Sequence, residues 1–352
     1  MAVTLRDVAA HAGVSTRTVS NVVNDFPYVS PAMRAKVQAA LDELGYKPNL
    51  LARGLRQGRT GILTLLVPDI AVPYFGELAH EVVERASHLG FTVMIDETSG
   101  HPQRERALLG AAAQSSWVDG VLLSSLGLKT RDLAGLGSHK PVVLLGELTA
   151  TAPLDHVGID NVAAARDAAQ HLIDSGRRRI AALGGSSIGF DATSRLRLKG
   201  YRQALTAAGL PADGLYARTP DYKRAHAATA VRALFSQGSR PDGLFCFSDE
   251  LAAGALRELH EQKLDVPSDI SVVGFDDIDQ SRFATPSLTS IRPDKAGIAS
   301  VALDLLIQRI QGSTIKPRDV RIHHELIVRE SSARTEGRAV TFGDRFPAHT
   351  TN

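Results

Sequence analysis

From residue 61 onward, short apolar runs take turns with longer stretches of helical period, and this restricts the fold more tightly than anything else in the chain. Ile62 to Pro68, Thr92 to Asp96, Gly120 to Leu123 and Val142 to Leu145 read as strands, with helical pattern between them, as over Phe75 to Leu89. Strands separated by helices pair in parallel, and a parallel sheet needs both faces covered. After Val157-Gly158-Ile159-Asp160-Asn161 a second series begins: helix Ala163 to Ser175, strand Ile180 to Leu183, helices Leu196 to Ala208 and Lys223 to Ser236, strand Gly243 to Phe247, helix Leu251 to Gln262 and strand Ser271 to Phe275. The expectation is two doubly wound α/β lobes facing each other across a cleft, with ligands held beyond the carboxyl ends of the strands.

The first sixty residues follow another pattern. In "TLRDVAAHAGVSTRTVSNVVN", residues 4–24, Thr4 and Asp7 have capping-box spacing, which starts a helix at about residues 5–11 with Leu5, Val8 and Ala9 inward. Gly13 turns the chain, Ser15 caps a second helix that buries Val19, Val22 and Val23, and its outward face is Thr16, Arg17, Ser20 and Asn21. A third helix starts at Ser30 with Pro31 in its first turn, buries Met33, Val37, Leu41 and Leu44, and stops at Gly45. Two helices joined by a short glycine turn form a helix-turn-helix, whose second helix can enter the major groove of DNA by its N-terminal end. There Arg17 can donate two bonds to guanine and Asn21 can pair with adenine, while Thr18 and Ser20 suit phosphates. A solvated face on a small helical domain is the plainer alternative.

Charge is divided in the same place. Residues 1–59 hold eight Lys/Arg against four acids, a charge of +4, which leaves −2 for the remainder of a chain whose net charge is +2. A basic head on a near-neutral body points to a polyanion partner for the head alone. No apolar run approaches the ~20 residues of a membrane helix and no charged-then-apolar leader precedes the first helix, so a cytoplasmic protein is expected. The single cysteine, Cys246, sits in an apolar run and reads as part of a buried strand.

Thr4-Leu5, Asp7-Val8-Ala9, Ala12-Gly13-Val14-Ser15, Thr18-Val19-Ser20, Val29-Ser30, Leu44-Gly45-Tyr46, Pro48-Asn49 and Ala52-Arg53 with Leu55 together resemble the DNA-binding head of the lactose-repressor (LacI/GalR) family, and the likeness continues to about residue 333. The resemblance implies an all-α helix-turn-helix DNA-binding head, residues 1–47, and a hinge helix within 48–60. It further implies a two-lobed α/β effector domain of the periplasmic-binding-protein type over 61–333, with lobe 1 at about 61–160 and 291–320 and lobe 2 at about 161–290 and 321–333. Thr4, Thr16, Arg17, Thr18, Ser20 and Asn21 are then the DNA-facing candidates of the head, and Asn49, Ala52, Arg53 and Leu55 those of the hinge. Leu55 would be the wedge that two hinge helices of a dimer insert at the centre of a palindromic double-stranded operator. With Gly54 inside it, such a helix is marginal by itself. Asn21 stands where many members carry arginine, which changes the bases read there.

Carried over by position, the effector-binding residues are Asp69, Tyr74, Phe75, Asp160, Arg197, Tyr222, Ser248, Asp249 and Asp276. Arg197 and Asp276 can each hold vicinal hydroxyls, and aromatic faces can cover a sugar ring, so the expected effector is a mono- or oligosaccharide; a purine or another polar metabolite stays open. Two readings stand for Asp249, cleft residue or cap of the helix from Leu251, and two for Tyr74 and Phe75, cleft or core. Val72 replaces a residue that is polar in many members, and Gly146-Glu147 adds a carboxylate at the cleft rim.

Rival readings are weaker. Gly185-Ser186-Ser187-Ile188-Gly189 matches a hydrolase nucleophile elbow, with Asp276 and His323 downstream, yet an elbow needs a helix directly after Ser187 and the next helical pattern is delayed. His323-His324-Glu325 resembles a metal cluster by composition only, since neighbours on a strand point to opposite faces. A solute-binding receptor would fit the cleft but leaves the basic head unexplained. Residues 334–352 lack leucine heptads and read as a disordered tail, so a homodimer is expected, with neither enzymatic activity, cofactor nor metal. The whole reads as an effector-controlled, sequence-specific repressor of transcription.

Overall fold

The computed structural model describes residues 3–24, 26–46, 59–128, 132–133, 140–147, 153–185, 192–211 and 215–333. The hinge candidates Asn49, Ala52, Arg53 and Leu55, the elbow serine Ser187 and the tail 334–352 lie outside the described residues. The chain divides into two units, Met1–Gly61 and Ile62–Asn352.

In the first unit α1 (Leu5–Ala12), α2 (Thr16–Val23) and α3 (Pro31–Glu43) enclose one small core. Thr4 N donates to Asp7 Oδ2 at 2.8 Å and Asp7 N returns a bond to Thr4 Oγ1 at 3.3 Å, so two orphan amides at the start of α1 are satisfied. Gly13 ends α1 at φ 60, a left-handed conformation that costs glycine least. Thr18 N donates to Ser15 Oγ at 3.1 Å, and Ser30 caps α3 ahead of Pro31. Such caps each stabilise a helix by about 1 kcal/mol. Val8, Ala9, Ala12, Val19, Val22, Val37, Ala40 and Leu41 are buried, with Leu5, Val23, Met33 and Leu44 half-buried around them. A 2.7 Å bond between His11 and Glu43 ties α1 to α3.

The second unit is two sheets of similar topology. In chain order its elements are β1 (Ile62–Val67), α4 (Pro73–His88), β2 (Thr92–Glu97), α5 (Pro102–Gln114), β3 (Gly120–Ser124), β4 (Val142–Leu145), β5 (Asp155–Ile159), α6 (Asn161–Asp174), β6 (Ile180–Gly184), α7 (Ala192–Ala207) and β7 (Tyr216–Arg218). There follow α8 (Arg224–Ser236), β8 (Gly243–Cys246), α9 (Asp249–Glu261), β9 (Ser271–Phe275), α10 (Asp279–Phe283), β10 (Thr289–Pro293), α11 (Lys295–Ile310), β11 (Asp319–Ile322) and β12 (His324–Ile327). The first sheet runs β11-β5-β4-β3-β1-β2, all parallel; the second runs β12-β10-β9-β8-β6-β7, parallel except for the antiparallel β10–β12 pair. Strand order therefore reverses between β1 and β3 in one lobe and between β6 and β8 in the other, the places where an open α/β sheet leaves a crevice.

Burial follows from parallel pairing. β3, β4, β6, β8 and β9 are buried along their whole length, because helices cover both faces. Each fully buried Leu, Val or Phe there contributes about 1.5–3 kcal/mol. Cys246 is buried in β8. α11 lies on the first sheet with Leu303 and Leu306 fully covered, and an added Cβ on Gly120 would meet Leu306 Cδ1 at 2.8 Å, so that strand position tolerates no side chain without a shift. Among the described residues no helix is long and apolar enough to cross a membrane.

Two expected boundaries move. β10 pairs with β9 through Ser290 and Ile291, and β11 pairs with β5 through Arg321 and Ile322. The chain therefore passes between lobes at 159–161, 293–295 and 322–324, two or three residues later than expected at the last two crossings. Backbone pairing, which apolar periodicity does not report, decides where each strand ends. α7 likewise begins four residues before Leu196, in a polar first turn that carries Thr193 and Ser194.

Candidate functional site

The carboxyl ends of both sheets face a cavity of about 930 Å³, at the upper end of the ~300–1,000 Å³ usual for small-molecule sites. From the first lobe it is lined by Asp69 and Val72 after β1, by Tyr74 and Phe75 in the first turn of α4, by Ser124 at the end of β3 with Ser125 and Leu126 after it, and by Gly146 and Glu147 after β4. From the second come Thr193 and Arg197 of α7, Tyr222, Ser248 after β8 and Asp276 after β9. Asn161 stands at the first crossing between lobes.

Arg197 is 8 % exposed and fixed on three sides. Its Nε donates to Asn161 Oδ1 at 2.7 Å, its Nη1 donates to the Phe247 carbonyl, and its guanidinium carbon lies 3.4 Å from the centre of the Phe275 ring. Its Nη2 lies 3.8 Å from Asp276 Oδ1, an ion pair too long for a hydrogen bond. Asn161 passes the connection on by donating to Glu147 Oε1 at 2.7 Å, and Arg321 of β11 donates to the same carboxylate at 3.3 Å. A continuous polar chain, Asp276–Arg197–Asn161–Glu147–Arg321, thus runs from the second lobe into the first.

The acids in this chain are set by burial. Asp276 is pushed up to about 7 by loss of water, an effect that the nearby Arg197 only partly offsets and that the Asp249 charge reinforces. It takes φ 110, and Asp277 beside it φ 43, both in the sparsely populated left-handed half of backbone space. The pair is held by its surroundings: Arg329 and Arg292 donate to the Asp277 carboxylate at 2.6 and 2.7 Å, and Lys295 Nζ donates to its carbonyl at 3.1 Å. Burial opposes ionisation of Asp277, but those two guanidinium bonds keep it below the usual carboxylate range. Burial raises Glu147 as well, against the pull of Arg321 and Asn161. Tyr74, raised first by desolvation and then by Asp276, keeps its phenolic proton and so can both donate and accept.

Seven of the nine expected cleft residues, Asp69, Tyr74, Phe75, Arg197, Tyr222, Ser248 and Asp276, line the cavity. Two do not. Asp160 is the cap of α6, accepting from Val162 N and Ala163 N at 3.0 Å each, and the next residue, Asn161, lines the wall instead. Asp249 is 1 % exposed and lies behind the wall, where it accepts from Ser290 Oγ at 2.6 Å, Ser281 Oγ at 2.7 Å and Ile278 N at 3.0 Å. It braces the turn that carries Asp276, and the cap of α9 is Ser248, which accepts from Leu251 N at 3.1 Å. Glu147 is not at an open rim but 5 % exposed. Glu105 was missed: fully buried on α5, it accepts from Ser125 Oγ at 2.7 Å and from the amides of Leu126, Gly127 and Leu128, which shapes the loop after β3. Its spacing in "PQRERALLG" gives no hint of this, because its partners lie twenty residues on.

On the head, Thr16 and Arg17 are exposed on α2, and Ser20 and Asn21 half-buried beside them. The Thr4 hydroxyl donates to Asp7 at 2.7 Å and the Thr18 hydroxyl lies 2.9 Å from Ser15 Oγ, so both belong to helix caps. Of the adjacent histidines, His324 lies 3.1 Å from Asp167 and His323 3.8 Å from Glu325.

Sequence comparison matches residues 4–49 to the profile of bacterial regulatory proteins, lacI family, and residues 169–332 to a periplasmic binding protein-like domain. The ribose operon repressor of Escherichia coli (strain K12) is 35% identical over 332 residues, 94% of this chain and 99% of that protein. Among solved structures, the lac repressor dimer bound to operator and the anti-inducer ONPF aligns with a TM-score of 0.85 at 27% identity, covering 95% of this chain and 100% of that one. A complex of the transcriptional regulator CelR with cellobiose aligns with a TM-score of 0.70 at 34% identity, covering 94% and 99%.

Proposed function

This chain belongs to the lacI family of bacterial regulatory proteins, and on that footing we propose that it is a cytoplasmic repressor of transcription, not an enzyme, whose grip on a palindromic operator is set by a sugar in the cleft. The observation that carries the reading is the union, in one chain, of a capped helix-turn-helix with Arg17 on its open face and a body whose cavity gathers Arg197, Asn161 and Asp276 where the strand order reverses. Arg17 reads a guanine in each half-site and Asn21 an adenine. Two copies place two such helices in successive major grooves, and the edge strand β2, with the exposed apolar side chains of Met94 and Ile95, offers an edge for the second copy.

In this reading the ligand bridges the lobes and shifts the angle at the three crossings, a hinge motion of the kind that closes two-lobed receptors. The change alters the separation of the two hinge segments at 48–60, each expected from its sequence to be marginal as a helix, and so decides whether Leu55 can be inserted into DNA. Coupling of about 1–3 kcal/mol, or roughly 5- to 150-fold in operator affinity, is typical of such switches.

Selection of bound duplexes from a random pool, followed by anisotropy titration with the full-length protein, tests the first half; an enriched palindrome is expected, and enrichment of none refutes it. Calorimetric titration across a sugar panel and a nucleobase panel tests the second. Heat from nucleobases alone would overturn the sugar assignment while leaving the repressor assignment standing.

A further inference from the structure

Tyr74 and Glu77 lie one turn apart on α4. Tyr74 lines the cavity; Glu77 does not, and instead reaches the second lobe. Its Oε1 accepts from the Asp279 amide at 2.8 Å. That amide opens α10, and Ile278 before it has no side-chain acceptor to offer, so the group is answered from the opposite lobe. The other oxygen, Oε2, lies 2.8 Å from Lys295 Nζ. Lys295 begins α11, directly after the chain has crossed between lobes, and donates to the Asp277 carbonyl at 3.1 Å.

Both ends of this contact fall on the residues just after β9, where Asp276 takes φ 110 and Asp277 φ 43. The polar chain through Arg197 and Asn161 reaches the same turn by another route. Exposure shows which ion pairs here carry weight. Arg282 and Asp279 are also 2.8 Å apart, but their side chains are 59 % and 62 % exposed, and water screens such a pair to near nothing. The Glu77 and Lys295 side chains are 32 % and 11 % exposed, and the same carboxylate holds the Asp279 amide as well. Lys295 Nζ also lies 5.9 Å from the centre of the Tyr74 ring.

We propose that Glu77 is a latch, a positioning residue outside the cavity that holds the two lobes at the angle that forms it and so fixes Asp276 for the ligand. Such a residue changes affinity without touching the ligand, because a cleft that spends only part of its time in the binding shape binds more weakly by that fraction. The role in affinity rests on the reading of the cleft as a ligand site, whereas the latch itself is measured with neither ligand nor DNA.

The substitutions Gln103→Cys on α5 and Gln237→Cys after α8, both at exposed positions, put one spin label on each lobe, while Cys246 is buried. Pulsed dipolar spectroscopy on the full-length protein, diluted with unlabelled chains, then reads the separation of the lobes. Glu77→Ala loses both bonds, and a second separation is expected, with the parent's separation falling about tenfold or more relative to it. Glu77→Gln, whose carbonyl still accepts from Asp279 but no longer pairs with Lys295, shifts in the same direction by less. Glu84→Ala, an exposed acid two turns further along the helix, leaves the parent's distribution in place. An unchanged distribution in either Glu77 variant, or an equal shift in Glu84→Ala, overturns the proposal.

Discussion

Asp276 should make the folded protein less stable as pH rises, and replacing it by asparagine should remove that loss. Its carboxyl titrates near 3.8 when unfolded and near 7 in the folded cleft, so the folded state holds a proton that the unfolded state gives up between those values. The sign follows from linkage: stability is greatest below the unfolded value and falls as pH climbs through the window to about 7. At 1.36 kcal/mol per unit the full penalty is about 4 kcal/mol, of which roughly 2–3 kcal/mol accrues between pH 5 and pH 8. The attraction between the ionised carboxylate and Arg197, which Asp276→Asn also removes, is already contained in the folded value of about 7. The stability gap between variant and parent should therefore shift in the variant's favour by roughly 2–3 kcal/mol from pH 5 to pH 8, read from denaturant unfolding at both pH values. A gap that stays level, or moves the other way, would refute the idea that burial outweighs Arg197 at this site. The same variant should bind the cleft ligand more weakly, so a gain in stability at high pH accompanies a loss of function.

Three further outcomes follow from particular contacts. Glu105→Ala takes the acceptor from the Ser125 hydroxyl and from the amides of Leu126 and Gly127, leaving Leu128 N only its 3.1 Å bond to Ser125 Oγ, at about 1–3 kcal/mol for each donor left buried; thermal melting should show severe destabilisation, and ligand affinity should fall because Ser125 and Leu126 line the cavity. Leu55→Ala should weaken operator binding with cleft affinity intact, and equal loss of both, measured by anisotropy and calorimetry, would contradict a wedge. Arg17→Ala should relax preference at one base pair per half-site, by about 1–3 kcal/mol, whereas Arg53→Ala should weaken all sequences alike and flatten the dependence on salt.

Residues whose role is local were legible in the sequence. Thr4 with Asp7, Ser15, and Ser30 with Pro31 announce helix starts because each cap closes within three residues, and the strands announce themselves because burial on both faces requires continuous apolar runs. Residues whose role depends on direction were not. Asp249 and Asp276 both follow apolar strands, yet one faces the core and the other the cavity, a difference made by the turn after β9 at φ 110. Asp160 and Asn161 are adjacent, and once the first is committed to capping α6 the second is the one left to face the cleft. Glu105 has the pattern of a solvated helix acid and is buried because four donors from a distant loop converge on it.

Arg197 illustrates why this cleft favours a hydroxyl-rich ligand within the proposed function. Its Nε and Nη1 are spent on Asn161 and Phe247, and one face of its guanidinium is covered by Phe275, so Nη2 is the donor directed toward Asp276. The 3.8 Å between Nη2 and the Asp276 carboxylate leaves neither group with a good hydrogen bond to the other. A ligand hydroxyl placed between them accepts from the guanidinium and donates to the carboxylate at once, two charge-assisted bonds from one small group. Once Asp276 is ionised, above about pH 7, a ligand that offers only acceptors satisfies Arg197 and leaves the buried carboxylate unanswered, and one that offers only donors does the reverse. The neutral Tyr74 phenol, which can serve in either sense, extends the same preference to a neighbouring hydroxyl.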